Sequence, residues 1–198
     1  DRLKIEGGIG VISSRFTIST PIIRDKLMLL AGGRVGFTDF LFPLLIPRLK
    51  NTKANFSDST VKLLYLPNAN NQLTYTHFYS KDFYQLDLIS SIENIVSSSN
   101  QYDFGTSNHT LRWLHGFENN TNLVGTLVHS SYLPKNLFPE IDSSNVIQFE
   151  SQIQYTSAQF EYKDNRKDEF DYYAGIQFNQ YNINPGSLDP GSGNSIIP

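Results

Sequence analysis

Long segments of this chain alternate apolar and polar side chains with a period of two, and this pattern constrains the fold more than any other feature. It is clearest in residues 146–162 and 170–183, and it recurs in 26–41 and 58–66. In the first of these segments the apolar set is Ile147, Phe149, Ile153 and Tyr155, and the polar set is Gln148, Glu150, Gln152, Gln154 and Thr156. Successive side chains of a β-strand point to opposite faces, so the pattern predicts strands with one apolar and one wet face.

Short polar turns separate these segments in pairs, and longer polar connections separate the pairs. The turns are Pro21–Lys26, Pro67–Asn71, Glu118–Asn122 and Lys163–Asp168, and the longer connections lie near 42–57, 85–102, 134–145 and after 184. The strands predicted between them are 9–20, 26–41, 58–66, 72–84, 103–116, 122–133, 146–162 and 170–183. Four hairpins with short turns at one end and long connections at the other are typical of outer-membrane barrels.

We therefore expect an all-β chain folded as an antiparallel transmembrane β-barrel. A soluble antiparallel sheet alternates in the same way, so a soluble β-sandwich that acts as a binding module stays open as an alternative. Two features favour the membrane. Several predicted strands exceed the usual length of about 5–6 residues, and Gln, Glu, Asp and Arg occupy the polar rows, as expected beside a water-filled or plugged lumen.

One segment does not fit the alternation. Leu88, Ile89, Ile92 and Ile95 follow a helical spacing, and a run of serines follows them. The sequence leaves two interpretations open here, a short amphipathic helix in a long connection or a continuation of the preceding strand.

Composition excludes several classes of protein. The chain has no cysteine, so it contains neither disulfides nor thiolate metal sites. Its net charge of −3 gives no support for a nucleic-acid partner. No stretch approaches the about 18 apolar residues of a membrane helix, and no signal-peptide h-region follows Asp1.

Two stretches resemble a known family. Gly7 to Ile18 (GGIGVISSRFTI), followed by Pro21-Ile22 and Asp25-Lys26, resembles the first barrel hairpin of Bacteroidetes-type TonB-dependent receptors. Thr20 replaces the glycine that the family has before the proline, and Arg24 replaces its first lysine. The second stretch, Phe104 to Phe117 (FGTSNHTLRWLHGF), is similar to a later strand of the family, although Thr106 stands where an aromatic residue is expected.

The resemblance implies an outer-membrane receptor that takes up a scarce small or oligomeric nutrient and is energised by the TonB system of the inner membrane. It implies that residues 1–198 form part of one barrel domain of about 22 strands, surrounded by membrane lipid in the cell outer membrane. Neither a plug domain nor a TonB box is recognisable in the chain, so we expect it to supply barrel wall. A surface lipoprotein is a further partner consistent with this family. The resemblance does not identify the cargo.

Polar residues at alternating positions are the candidates for the lumen. A lipid-facing arginine at mid-depth costs about 2–4 kcal/mol, which places Arg15, Arg34 and Arg112 in the lumen of such a barrel. Their partners are expected to be either carboxylates of an enclosed plug or other residues of the barrel wall. The full set of lumen-facing candidates is Arg15, Arg34, Lys62, Arg112, Glu150, Gln152, Asp171 and Gln177.

No other chemistry is indicated. His109 and His115 share a strand face but lie roughly 20 Å apart by strand rise, and neither they nor His77 and His129 form a metal-binding motif. We expect no cofactor, no metal and no enzymatic activity. The remaining alternative is a complete eight-stranded barrel with a structural or adhesive role, against which the loop-like composition of Pro185–Pro198 argues.

Overall fold

The computed structural model describes residues 2–39, 44, 46, 52–86, 90–92, 95–97, 100–118, 120–139, 146–167 and 170–189. In residues 90–92, 95–97, 139, 165–167, 170–171 and 188–189 it describes the backbone alone. The secondary structure of this part of the chain is almost entirely β-strand, which confirms the all-β prediction.

In the described residues, nine strands form one antiparallel sheet, and their order in the sheet is their order along the chain. One small hairpin is inserted between the fifth and sixth of these strands. The nine strands are β1 (Lys4–Ile9), β2 (Ser13–Ile23), β3 (Leu27–Phe37), β4 (Lys53–Asn68), β5 (Asn71–Leu86), β8 (Asn100–Gly116), β9 (Thr121–Pro139), β10 (Val146–Lys167) and β11 (Phe170–Asp189). The sheet is open, because within the described residues β1 pairs only with β2 and β11 pairs only with β10.

The inserted hairpin corrects the interpretation of the segment with helical spacing. Strands β6 (Ser90–Ile92) and β7 (Ile95–Ser97) pair with each other as a separate two-stranded sheet. The segment is therefore neither a helix nor an extension of β5 where it is described; Leu88 and Ile89 lie outside the described residues. Two three-residue strands are too short for the period of an apolar pattern to identify them.

The first strand is an addition to the eight that were predicted. The predicted strand 9–20 begins at Ser13, and the chain reverses direction before it, with Gly10 N donating to Ser13 O at 2.9 Å. Residues 4–9 then run back along β2, with Lys4 opposite Ser19 and Ile9 opposite Ser14. Two adjacent glycines make this segment a poor strand by propensity, so its pairing with β2 determines its conformation.

Three of the short turns lie within their predicted ranges, whereas residues 163–167, predicted to belong to the fourth turn, are part of β10. Asp25 and Asn120, each with a φ near 60°, lie in the turns that follow β2 and β8. Asn and Asp tolerate this left-handed conformation better than other residues with side chains. The connections that follow β2, β4, β8 and β10 lie at one end of the sheet, which we name the short-turn end; the opposite end, which also holds the reversal between β1 and β2, is the long-connection end.

The strands extend further toward the long-connection end than the sequence predicted. β4 begins at Lys53, β8 at Asn100, β9 continues to Pro139 and β11 to Asp189. Residues 53–57, 134–139 and 185–189, which were predicted to be loops, are therefore strand. The six longest strands have 16 to 22 residues, whereas a tilted membrane strand needs about 9–11.

Directly paired residues on neighbouring strands point to the same face of a sheet, so the register assigns every described strand residue to one of two faces. One unbroken row runs from β2 to β11 through Thr20, Leu29, Leu63, Tyr75, Leu111, Leu127, Ala158 and Phe178. We name its side of the sheet the leucine face. The opposite side carries the pair Arg15 and Arg34 and, six residues further along the strands, Arg112; we name it the arginine face.

The sheet has almost no hydrophobic core. Within the described residues, Val124 and Ile147 are the buried hydrophobic side chains, while large hydrophobic residues along the leucine face are exposed, including Leu111 at 40% and Leu127 at 50%. The chain exposes 13639 Å², against about 9500 Å² for a compact monomer of this mass. No helix in the described residues is long and apolar enough to cross a membrane.

Candidate functional site

Five of the eight candidate residues lie on the arginine face. Arg15 is directly opposite Arg34, and Arg34 is directly opposite Asp58. Lys62 follows two positions beyond Thr60 on the same face of β4. Arg112 and Gln177 occupy another row of that face, which runs through Thr126 and Gln159. Asp171 lies in β11, and its side chain is outside the described part of the chain.

Glu150 and Gln152 lie on the leucine face, on the other side of the sheet from these five candidates; that all eight residues face a lumen remains a prediction. β10 pairs with β9 in a constant register, which keeps Glu150, Gln152 and Ala158 on the same side. Ile153 and Tyr155 instead share the arginine face with Ser157.

The reason is that the two faces exchange character along the strands. Toward the short-turn end the leucine face carries Ala158, Phe160 and Tyr162 on β10, and toward the long-connection end it carries Gln154, Gln152 and Glu150. The alternation keeps its period of two but inverts its polarity between residues 155 and 158. A polarity pattern within one strand therefore cannot identify a face without the register of its neighbours.

Arg34 is the most firmly positioned charged side chain of the arginine face. Its Nε and Nη2 both donate to Oδ2 of Asp58, at 2.8 and 2.7 Å. Its guanidinium carbon lies 4.8 Å from the centre of the Phe56 ring. The ring occupies space that a side chain at Gly36, directly opposite, would fill. Arg34 is thus held by one carboxylate and one aromatic face, and Gly36 makes room for that ring.

Arg15 lies beside Arg34 without such support. Within the described residues it forms no hydrogen bond or ion pair, and the nearby carboxylate of Glu6 binds Lys4 at 2.8 Å. Like charges directly opposite one another on neighbouring strands destabilise a sheet. Asp58 offsets the charge of Arg34 by direct contact, whereas Arg15 has only a longer-range attraction to the Glu6 carboxylate.

A hollow of about 290 Å³ lies next to this pair. Two residues along each strand from the arginines, toward the short-turn end, Thr17, Gly32 and Thr60 lie side by side on the same face. The hollow forms there because Gly32 has no side chain to fill the space. Guanidinium groups along one side and threonine hydroxyls at the flanks offer hydrogen-bond donors to the hollow, whose lining also includes Asp58, Phe16 and Leu30.

Aromatic rings follow on the arginine face toward the long-connection end. Tyr84, Tyr102, Phe104 and Tyr132 succeed one another across β5, β8 and β9, with ring centres 6.3 to 6.5 Å apart and planes inclined by 14 to 31°. On β10 and β11 the rings of Tyr155 and Tyr181 lie 4.9 Å apart. The sequence did not indicate this arrangement, because each strand contributes only one or two of the rings.

The leucine face carries a row of three histidines that the sequence also did not indicate. His77 pairs with His109, and His109 pairs with His129 on the next strand. The first two rings are stacked with centres 4.3 Å apart, and Tyr75 Oη lies 2.8 Å from Nδ1 of His109. No spacing motif connects the three residues, so only the register reveals them. No group of three or more metal-binding side chains in the described residues has a geometry that could hold a metal ion.

Charged pairs occupy the leucine face near the long-connection end. Lys81 binds Asp103 at 3.2 Å, and Lys135, which lies directly opposite Asp103, binds Glu150 at 2.7 Å. All four groups are partly exposed. The signs alternate across four strands, which suits a surface in water and not one in hydrocarbon.

Comparisons with protein-family models, with curated proteins and with solved structures found no match to this chain. The candidate site is therefore interpreted from its own geometry.

Proposed function

We propose that this chain forms part of the wall of an outer-membrane β-barrel, with the leucine face toward lipid and the arginine face toward the lumen. The observation that carries the proposal is the exposed leucine face itself. Leu111, Leu127 and Phe160 lie on this face and are 40 to 50% exposed. Apolar surface costs about 25 cal/mol per Å² in water and nothing comparable in hydrocarbon, so a bilayer is the medium that this face fits.

The ends of the sheet support an orientation. Outer-membrane barrels have short periplasmic turns and longer extracellular loops. We therefore assign the short-turn end to the periplasm and the long-connection end to the cell exterior. The Lys81–Asp103 and Lys135–Glu150 pairs then lie outside the hydrocarbon, on the parts of the strands that exceed the length needed to cross it.

The open edges support a barrel of more strands. Each unpaired backbone group in hydrocarbon costs several kcal/mol, so membrane sheets close on themselves. Within the described residues, one edge of the 20-residue strand β11 has no partner strand, and neither has one edge of β1. We propose that further strands of a larger barrel pair with them, as the resemblance to TonB-dependent receptors implies.

We propose transport as the activity of this barrel. The arginine face is rich in hydrogen-bonding side chains, which suits a lumen that is filled with water or occupied by an enclosed domain. A TonB-dependent receptor would use such a barrel to admit a scarce nutrient with energy supplied from the inner membrane. The two rival functions receive less support. A β-sandwich needs a second sheet over the leucine face, and the described residues offer only the hairpin β6–β7; a complete eight-stranded barrel does not account for nine strands in an open sheet.

Membrane insertion and transport are tested separately. For insertion, membranes of the producing organism are washed with alkaline carbonate and separated by density. We expect the protein in the washed outer-membrane fraction; its release by the wash would contradict the wall proposal.

For transport, the depletion of nutrients from a defined growth medium is compared among three strains: the parent, a strain without the gene for this chain and a strain without TonB. We expect one nutrient class whose depletion is lost in both mutants. Loss in neither strain, or in the TonB mutant alone, would contradict the transport proposal while leaving the wall proposal intact.

A further inference from the structure

We propose that Arg15, Arg34 and the hollow over Gly32 form a binding site for an oxyanion, a carboxylate or phosphate group. The two arginines lie directly opposite each other on β2 and β3, at the side of a hollow of about 290 Å³. The idea that the oxyanion belongs to the transported nutrient rests on the proposed function. The anion site itself is independent of that function.

The charge of the cluster favours an anion, because Glu6, the acidic group that interacts with Arg15, is in contact with Lys4. Arg15 and Arg34 bring two positive charges into direct cross-strand register, and within the described residues only Asp58 is in ion-pair contact with either of them. An oxyanion between the two guanidinium groups would replace their repulsion with charge-assisted hydrogen bonds, which guanidinium groups form with carboxylates and phosphates in a matching planar geometry.

The geometry of the hollow fits a small polyoxygen group. Thr17 and Thr60 lie directly opposite Gly32 on its two sides, so their hydroxyls flank the space that the glycine leaves empty. A methyl group at position 32 would lie 3.2 Å from Phe16 O and from Thr17 Oγ1, so even alanine would narrow the hollow. Leu30, which also lines the hollow, lies directly opposite Lys62. Lys62 therefore places a third positive charge on the same face near the hollow.

One guanidinium is fixed and the other is available. Arg34 binds Asp58 through Nε and Nη2 and lies against the Phe56 ring, which leaves its remaining N–H groups directed elsewhere. Arg15 is exposed, and its side chain lies over Gly8. We infer that Arg34, which is held in place, orients the ligand and that the exposed side chain of Arg15 then closes on it.

The oxyanion has two sources that share this chemistry: a free ligand or a carboxylate of protein enclosed in the lumen. The full protein is produced in outer membranes with ¹⁵N-labelled arginine and purified in detergent. The Nε–H signals of Arg15 and Arg34 are assigned by substitution and followed while citrate, and separately inorganic phosphate, is added at constant ionic strength.

Saturable shifts of both signals would identify a free ligand site. Arg15→Ala should then weaken binding at least about tenfold, the loss expected for a hydrogen bond between charged groups, and Arg15→Lys should restore only part of it. Arg112→Ala, which removes an arginine from another row of the same face, is the matched control and should leave binding unchanged.

A second outcome would identify a carboxylate of the protein as the ligand. In that case both signals are already protected from solvent exchange, do not respond to added anions and lose their protection when carboxylates are protonated. Unprotected signals without saturation, or equal losses in Arg15→Ala and Arg112→Ala, would overturn the proposal. Neither result depends on which face meets lipid, so failure of the anion site and failure of the proposed function remain distinguishable.

Discussion

Among the glycines that lie directly opposite phenylalanines, two have the ring closest to the position of a missing side chain, one on each face. Gly36 faces Phe56 on the arginine face, and Gly125 faces Phe160 on the leucine face. In both pairs the ring lies over the glycine, and at Gly125 a methyl group would come within 3.2 Å of the Phe160 ring. An aromatic ring that covers a glycine protects backbone that the missing side chain would expose.

The pair at Gly36 gives a prediction about Arg34. Gly36→Ala should displace the Phe56 ring, remove the aromatic surface beneath the guanidinium and lower the free energy of unfolding by about 1–3 kcal/mol, as overpacking does. Denaturant unfolding of the inserted protein measures the change.

Gly105→Ala is the control for this prediction, because a methyl group there would lie at an ordinary 3.9 Å from Leu133. Since alanine in a strand is better than glycine by about 0.5–1 kcal/mol, this variant should be neutral or stabilised. Equal destabilisation of both variants would contradict the role assigned to the ring.

Adjacent residues of β9 test which face meets lipid. Leu127 lies on the leucine face and Val128 on the arginine face. Leu127→Arg should lower the free energy of unfolding in lipid vesicles by about 2–4 kcal/mol if it lies near mid-depth, and Val128→Arg should cost far less. A larger cost at Val128 would reverse the assignment of the faces.

At the scale of elements, the strands are longer than a membrane requires, and their outer parts need other support. On the leucine face that support consists of the alternating charges of Lys81, Asp103, Lys135 and Glu150. On the other face it consists of the aromatic row that begins at Tyr84. Cross-strand pairs of both kinds stabilise a sheet by about 0.2–1 kcal/mol each.

Lys135 is the central residue of the charged row, so its charge should determine how firmly the outer part of β9 is held. Lys135→Glu would place three acidic groups side by side, and we expect faster hydrogen exchange in residues 133–138. The cost should be below about 1 kcal/mol, because the groups are partly exposed.

Lys135→Met, which keeps most of the aliphatic stem, should lie between the parent and Lys135→Glu. High salt should bring the charge-reversed variant closer to the methionine variant. Identical exchange in all three proteins would show that the charges do not stabilise the strand.

The orientation of the hairpins gives a prediction about accessibility. An epitope tag inserted between β9 and β10 should be detected on intact cells, whereas one inserted in the turn between β8 and β9 should be detected only after the outer membrane is opened. The periplasm encloses short turns in barrels of this kind. The opposite labelling would invert the proposed topology.

At the scale of the whole molecule, the sheet is a single layer with two open edges and an apolar face that nothing in the described residues covers. Such a layer is poorly suited to water, because its apolar surface is exposed and its edge strands have no partners in the described residues. In the barrel that we propose, lipid on one face and neighbouring strands at the edges would supply what is missing.

The edges are tested by hydrogen exchange in the membrane-inserted protein. β11 uses one side to pair with β10, and we expect the amides directed to its other side to exchange as slowly as those of β9. Rapid exchange of this alternate set would mean that β11 remains an edge and would contradict a larger closed barrel.

The sequence by itself determined the local features of this protein. The period of two and the polar turn clusters together predicted eight of the strands, because both follow from the conformational preferences of a few consecutive residues. The same alternation assigned Arg15, Arg34 and Arg112 to polar positions, and the register confirms that they share one face.

Only the tertiary structure decided how the strands combine. The pairing of β1, the exchange of polarity along β10 that moves Glu150 and Gln152 to the leucine face, and the hollow over Gly32 all depend on register between strands. A shift of one residue would send every side chain of a strand to the other face. Alternation within a strand does not contain that information; it comes from hydrogen bonds and side-chain contacts between strands.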